Sequence, residues 1–351
     1  MPLAGLVIGY AASLLISNVR VCFGRRLPLL IKTFAFSAKI GYAFKAQSEE
    51  ERKEPLMLDL STFAYNSEAP FELTALSERV KDDERIQDIS FKSPLRGKVS
   101  AYLIVPSEPL PRAGLIFGHW GEGDRGEFVD EAVVLARLGF VSLCLDASFR
   151  RPVEYEPEEA LPQADLQWIV DVRRAIDILQ DRFELIPEHI GYVGHSFGAS
   201  FGGVIAGVEH RIKAYVFMAG AASATEIMRT SNHPLLVRVR ENTPPEAWEA
   251  MLIAEAPYDA CHYIGRAAPS PLFFQFARHD DFVSVQDAEH YFELASKPKQ
   301  IAWYDNCNHE LGVQARIDRA IFLCEQLGLP CPSQHILELL ERVPPPVPIG
   351  Y

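Results

Sequence analysis

Ser196 stands in the run GYVGHSFGASFGG (Gly191 to Gly203), surrounded by glycine, alanine and serine. A hydroxyl set among so little side-chain bulk suits a nucleophile held up on a turn too tight for larger neighbours. The centre of the run, Gly194-His195-Ser196-Phe197-Gly198, is a G-x-S-x-G sequence between a stretch patterned as a strand and one patterned as a helix. A strand that turns at once into a helix forces the corner residue into a strained backbone conformation. Side chains two positions to either side would then meet neighbouring backbone. The N-terminus of the helix points toward the hydroxyl and favours a developing oxyanion.

A serine nucleophile needs a base, and the base needs an orienting acid. The candidate acids lie in QFARHDDFVSVQD (Gln275 to Asp287), where Asp280 and Asp281 follow directly on a strand-like run. The candidate base is His309 in WYDNCNHELG (Trp303 to Gly312), beyond the last strand-like run and before a long helical one. The chain order is therefore serine, aspartate, histidine. His195 reads as a packing residue, because the neighbour of the nucleophile points away from it. His119 reads as a structural hydrogen-bonding residue. The histidine and aspartates of HDD, with His290, match no zinc-ligand spacing, so no metal is expected and the chemistry requires no cofactor. Arg150 and Arg151 suit either a solvated surface or pairing with a substrate carboxylate. Trp120, Met228, Leu235, Trp248 and Met251 suit either an acyl pocket or a core.

These residues must be positioned by the elements around them. Tyr102–Pro106, Gly114–His119, Phe140–Asp146, His189–Gly194, Lys213–Gly220, Pro271–Ala277 and Gln300–Asp305 read as strands. Several are short continuous apolar runs, as strands covered on both faces require. Helical spacing separates them over Phe128–Leu138, Leu166–Leu179, Phe197–Val208, Val285–Ala295 and Val313–Leu327. The alternation predicts an α/β fold, a mainly parallel sheet with helices on both faces. Residues 221–270 break it, with about fifty residues that hold no convincing strand. They read as a helical insertion over the carboxyl ends of the strands, where open α/β sheets bind ligands. The expected organisation is an apolar and basic segment over 1–48, a linker and lead-in over 49–85, a catalytic domain over 86–328 and a proline-rich tail over 329–351. The end of that tail, Glu341 to Tyr351, is expected to be non-helical.

The net charge of −13 is uneven: residues 1–48 carry six basic side chains and no acid, so the remainder carries −19. Such a body repels nucleic acid and anionic membrane surfaces. The six cysteines are dispersed without a CxxC pair and read as mostly reduced, buried thiols. Pro2 to Val19 is uncharged and lies at the lower limit of a membrane span. Membrane association through residues 2–44 with a cytoplasmic body, a transit peptide, and an amphipathic extension packed on the body all remain open.

The serine, aspartate and histidine in that order, with GHSFG on a strand-rich chain, resemble the α/β-hydrolase superfamily, and within it the dienelactone-hydrolase-like and acetyl-xylan-esterase-like members. The resemblance covers roughly residues 86–328. The acid loop of such proteins often reads G-x-x-D-x-x-V. Ala277, Asp280 and Val283 stand at those positions, so the resemblance favours Asp280 over Asp281. The oxyanion loop often reads H-G-x, whereas here Trp120 stands where glycine is usual. The resemblance implies oxyanion donors in the backbone N–H of Phe197 and that of Trp120 or Gly121. It implies a serine hydrolase acting on a small ester or related acyl substrate through Ser196, His309 and Asp280. Dienelactone hydrolases proper use cysteine, so Ser196 speaks against that activity. A serine peptidase or acyltransferase on the same fold, and a non-catalytic binding protein, are the alternatives.

Overall fold

The computed structural model describes residues 59–108, 112–151, 162–186 and 189–344. The segment over 1–48, the charged stretch after it and the last prolines lie outside those residues. Nine strands form one sheet in the order β1-β2-β3-β5-β4-β6-β7-β8-β9. They are β1 (Thr74–Lys81), β2 (Glu84–Lys92), β3 (Lys98–Val105), β4 (Ala113–Gly118), β5 (Phe140–Leu145), β6 (Ile190–His195), β7 (Ala214–Met218), β8 (Leu272–Ala277) and β9 (Lys299–Tyr304). From β5 to β9 every neighbouring pair is parallel, while β1, β2 and β3 form an antiparallel meander joined antiparallel to β5.

The central strands are buried along their whole length, and their side chains alternate between two cores. On β7, Ala214, Val216 and Met218 enter one core while Tyr215 and Phe217 enter the other. This is the period-2 geometry of a strand covered on both faces. One core is completed by α2 (Pro162–Arg182), α3 (Phe197–Val208) and α7 (Val285–Leu294), through Trp168, Ile176, Val204 and Tyr291. The other is completed by α1 (Val129–Ala136), α8 (Val313–Gln326) and α9 (Gln334–Arg342), through Leu135, Leu323 and Leu340. The insertion holds α4 (Ala224–Thr230), α5 (Pro234–Asn242) and α6 (Pro245–Glu255), followed by three short 3-10 turns. Met228, Val239, Trp248, Met251 and Leu252 form its own small core. Three candidate pocket residues, Met228, Trp248 and Met251, are therefore packing residues of the insertion.

Two elements depart from the sequence reading. Residues 74–85, read as lead-in, form β1 and the start of β2. Every side chain of β1 is exposed, so no apolar alternation marks it. The turn between them uses Asp82 and Asp83 at φ 50° and 70°, a left-handed pair that aspartate tolerates. Ahead of them, residues 59–73 are tied to the body. Phe63 is fully buried against Tyr258 and Tyr263, and Tyr65 donates to Asp177 on α2 at 2.9 Å. The tail over 329–351 also contains an element, α9, which takes in Glu341 and Arg342. Ile336 and Leu340 drive its burial, and it stops just before Pro344, whose ring opposes the helical conformation of the residue before it. Among the described residues no helix is long and apolar enough to cross a membrane, and five cysteines are free thiols.

Candidate active site

One residue separates β6 from α3. That residue is Ser196, at φ 51° and ψ −106°. A non-glycine residue held there stores about 1–3 kcal/mol of strain. The surroundings enforce it: Ser196 N–H donates to the Met218 carbonyl at 2.8 Å, and the Ser196 carbonyl accepts from Ser200 N at 2.8 Å. Glycine at 198 is a steric requirement. A Cβ there would stand 2.6 Å from the Gly118 carbonyl carbon, and the Gly198 N–H donates to His119 O at 3.1 Å. The close approach of α3 to the end of β4 thus brings the helix N-terminus and the loop after β4 to the same place.

His309 follows β9 and precedes α8, and its side chain is nearly buried. Its Nε2 lies 2.7 Å from Ser196 Oγ, the serine hydroxyl donating. Its Nδ1 lies 2.9 and 3.0 Å from the two oxygens of Asp280, to which it donates. Asp280 Oδ1 also accepts from the backbone N–H groups of Phe282 at 2.7 Å and Val283 at 3.0 Å. Burial pushes the Asp280 carboxyl up, but the attraction of His309 and these hydrogen bonds outweigh it and hold it below the usual carboxylate range. Asp281 takes a different partner, accepting from Asn308 Nδ2 at 2.5 Å. The insertion reaches this corner as well. The His233 ring, at the start of α5, stacks at 3.7 Å on Phe282, whose ring is 4.7 Å from that of His309.

The loop after β4 holds the other candidates. His119 donates from Nδ1 to the Trp120 carbonyl at 2.5 Å, and its Nε2 accepts from Ala147 N at 3.0 Å. Burial pushes its pKa down, consistent with this neutral donor–acceptor pattern. The Gly123 N–H also donates to the Trp120 carbonyl, at 3.1 Å. A trans peptide is planar, so fixing that carbonyl aims the Gly121 N–H in the opposite direction. The Trp120 N–H is already engaged, donating to Glu127 Oε2 at 2.9 Å. Of the two expected loop donors, the one not committed to Glu127 is Gly121. Phe197 is the first residue of α3, next to the hydroxyl.

Glu127 and His195 had no assigned role beyond packing. In the structure Glu127 Oε1 accepts from His195 Nδ1 at 2.6 Å, and His195 Nε2 donates to the His309 carbonyl at 2.9 Å. No spacing rule connects these positions, which lie 68 and 114 residues apart. The sequence signal is a histidine next to Ser196. Arg151 is closed off by Asp171 at 2.7 Å, with both side chains buried. Arg150 lies over the Phe149 ring and reaches the Gly121 carbonyl at 3.4 Å. Among the described residues no three His, Cys, Asp or Glu side chains converge on a metal position.

No protein-family model matches the sequence, and comparison with curated proteins gives no match. The fold does have solved neighbours. An acetyl xylan esterase from Thermoanaerobacterium sp. JW/SL YS485 superposes with a TM-score of 0.62 at 14% identity, over 84% of this chain and 99% of its own. An acetyl xylan esterase from Paenibacillus sp. R4 gives 0.60 at 17% identity, over 74% and 90%. Est1E from Butyrivibrio proteoclasticus, solved with ferulic acid, gives 0.54 at 16% identity, over 72% and 99%. The chain has the fold these α/β-hydrolases share.

Proposed function

We propose that this α/β-hydrolase-fold protein is a serine hydrolase that cleaves carboxylic esters through an acyl-enzyme. One observation carries the reading: a single imidazole accepts from Ser196 Oγ at 2.7 Å on one nitrogen and donates at 2.9 Å on the other to a carboxylate fixed by two backbone N–H groups. A base must be held in the right tautomer and direction, and this arrangement does both. The esterase neighbours support the same reaction class.

Ser196 Oγ attacks the ester carbonyl carbon as its proton passes to His309 Nε2. The negative charge that develops on the carbonyl oxygen is met by the backbone N–H of Phe197, at the positive end of α3, and by that of Gly121. Asp280 stabilises the imidazolium. The tetrahedral intermediate expels the alcohol, which takes the proton from Nε2. Water then gives a proton to Nε2 and attacks the acyl carbon, and Ser196 leaves with its proton restored. Loss of one oxyanion donor costs about 10²–10³ in turnover, so a displaced loop after β4 would cripple the reaction even with the three side chains in place.

A fluorophosphonate probe tests the nucleophile. Labelling of the folded wild type that disappears in Ser196→Ala supports the enzyme. No labelling refutes it and leaves a binding protein. Among labelled protein, hydrolysis of esters with no detectable cleavage of peptide amides supports the esterase, whereas cleavage of the amides supports a peptidase.

A further inference from the structure

We propose that Glu127 is a positioning residue that clamps the oxyanion loop to the loop carrying the catalytic base, acting through His195. The inference rests on the serine-hydrolase reading of the site and adds a residue to it.

The carboxylate of Glu127 spans two elements. Oε2 accepts the Trp120 N–H at 2.9 Å, which fixes the residue before the Gly121 donor. Oε1 accepts from His195 Nδ1 at 2.6 Å, and His195 Nε2 donates to the backbone carbonyl of His309 at 2.9 Å. One unbroken chain of hydrogen bonds therefore runs from the oxyanion loop to the backbone of the base. It lies beneath the nucleophile, since His195 is the residue before Ser196. The Trp120 ring covers the His195 ring in a stack of 5.8 Å and 11°, and the His195 and His309 rings stand 5.2 Å apart. His195 is fully buried and the Glu127 side chain nearly so, which shields the bonds from competing water.

The proton count is set by the partners. His195 faces a carboxylate oxygen on one side and a carbonyl oxygen on the other. Nε2 therefore donates to the carbonyl, and one proton is held between Nδ1 and Glu127 Oε1. Burial alone would push the His195 pKa down, but the Glu127 charge and hydrogen bond raise it overall. The acids and bases around the pair are Asp280 and His309 on the site side, His119 on the oxyanion loop, and Glu131, Glu310, Arg316 and Arg319 in the cavity that Glu127 also lines.

Reach and charge make different predictions. A glutamine at 127 keeps every hydrogen bond. Its carbonyl accepts from Trp120, its NH₂ donates to a neutral His195, and the ring still donates to the His309 carbonyl. An aspartate keeps the charge but is one methylene short and cannot hold both partners. A misplacement of about 1 Å can cost 10²-fold in rate, and a fault in geometry at the reacting atoms appears in kcat rather than KM. The expected result for Glu127→Ala and Glu127→Asp is a fall in kcat of about 10²-fold with KM within 3-fold. Glu127→Gln is expected to lose no more than about 5-fold.

The measurement is steady-state hydrolysis of a p-nitrophenyl ester by the full chain, with thermal melting to establish folding. Should the alanine variant not fold, the aspartate and glutamine pair carries the comparison. Wild-type turnover that vanishes in Ser196→Ala upholds the reading of the site independently. With that in hand, folded E127D at wild-type kcat, or E127Q impaired as severely as E127D, overturns the clamp alone. A wild type that neither labels nor turns over removes both.

Discussion

Replacement of Asp280 by asparagine tests the acid in a way the structure makes quantitative. Asp280 Oδ1 accepts from two backbone N–H groups, those of Phe282 and Val283. In asparagine the carbonyl oxygen must stay at that position, because an NH₂ there would face two donors. The NH₂ therefore takes the place of Oδ2, which lies 2.9 Å from His309 Nδ1. The carbonyl oxygen also lies 3.0 Å from Nδ1, but an Nδ1–H would meet the nearer NH₂ donor to donor, so Nδ1 becomes an acceptor and its proton moves to Nε2, which stands 2.7 Å from Ser196 Oγ. The imidazole now donates to the serine it should deprotonate. A triad held in the wrong tautomer loses about 10⁴ in kcat, or about 5.5 kcal/mol of transition-state stabilisation. The assay is kcat/KM on a p-nitrophenyl ester, with Ser196→Ala as the floor and circular dichroism as the check on folding. Asp281→Asn is the comparison. Its carboxylate bonds Asn308 rather than the base, so a change of less than about 5-fold is expected. Folded Asp280→Asn that keeps a tenth of wild-type turnover, or an Asp281→Asn that loses more than it does, would refute the assignment.

Two further outcomes follow from strain and burial. Ser196→Gly abolishes activity but relieves the backbone at φ 51°, so the variant should be about 1–2 kcal/mol more stable to urea than Ser196→Ala, which keeps the Cβ. Equal stability of the two would mean that the strain relieved at 196 is no larger than the entropy cost of glycine, about 0.5–1 kcal/mol. Asp165, on α2, is buried beside Asp259, and burial together with that charge pushes its carboxyl up to about 8. The folded state holds this proton where the unfolded chain, titrating near 4, has lost it. Its contribution to stability is complete below the unfolded pKa and is lost as pH rises toward 8, with a slope of about 1.4 kcal/mol per pH unit. Asp165→Asn should flatten the pH dependence of urea unfolding between pH 5 and 8, and an unchanged slope would count against the burial argument.

The central sheet was legible because its signal is local. Seven strand-like runs correspond to β3 through β9, and the signal is strongest in β4 to β8, which are buried along their whole length and therefore mostly apolar. The meander escaped the same reading. Every side chain of β1 is exposed, and its hairpin turns on two aspartates rather than on a glycine. The insertion was legible as helical but not as to its packing. Met228, Trp248 and Met251 have the composition of a ligand pocket, yet they face one another. Side-chain type records the preference for burial, and only the helix arrangement selects the partner.

The candidate site divides along the same line. The elbow could be read from five residues because its causes are steric and lie within the run: a corner at Ser196, and no room for a Cβ at 194, where it would meet the Gly198 backbone. Asp280 and Asp281 are adjacent carboxylates that composition treats alike. Which one faces the base depends on how the loop after β8 closes on Phe282 and Val283. The clamp through Glu127 and His195 left no trace in spacing at all, because its three contacts join segments that meet only once the sheet has formed. The amino-acid sequence by itself determined the turn that presents the hydroxyl, the strands beside it and the order of its partners. Tertiary structure set Asp280, the carboxylate the acid-loop resemblance had favoured, against His309, and it decided what braces the loops, since a hydrogen bond depends on ångström distances that chain order does not encode.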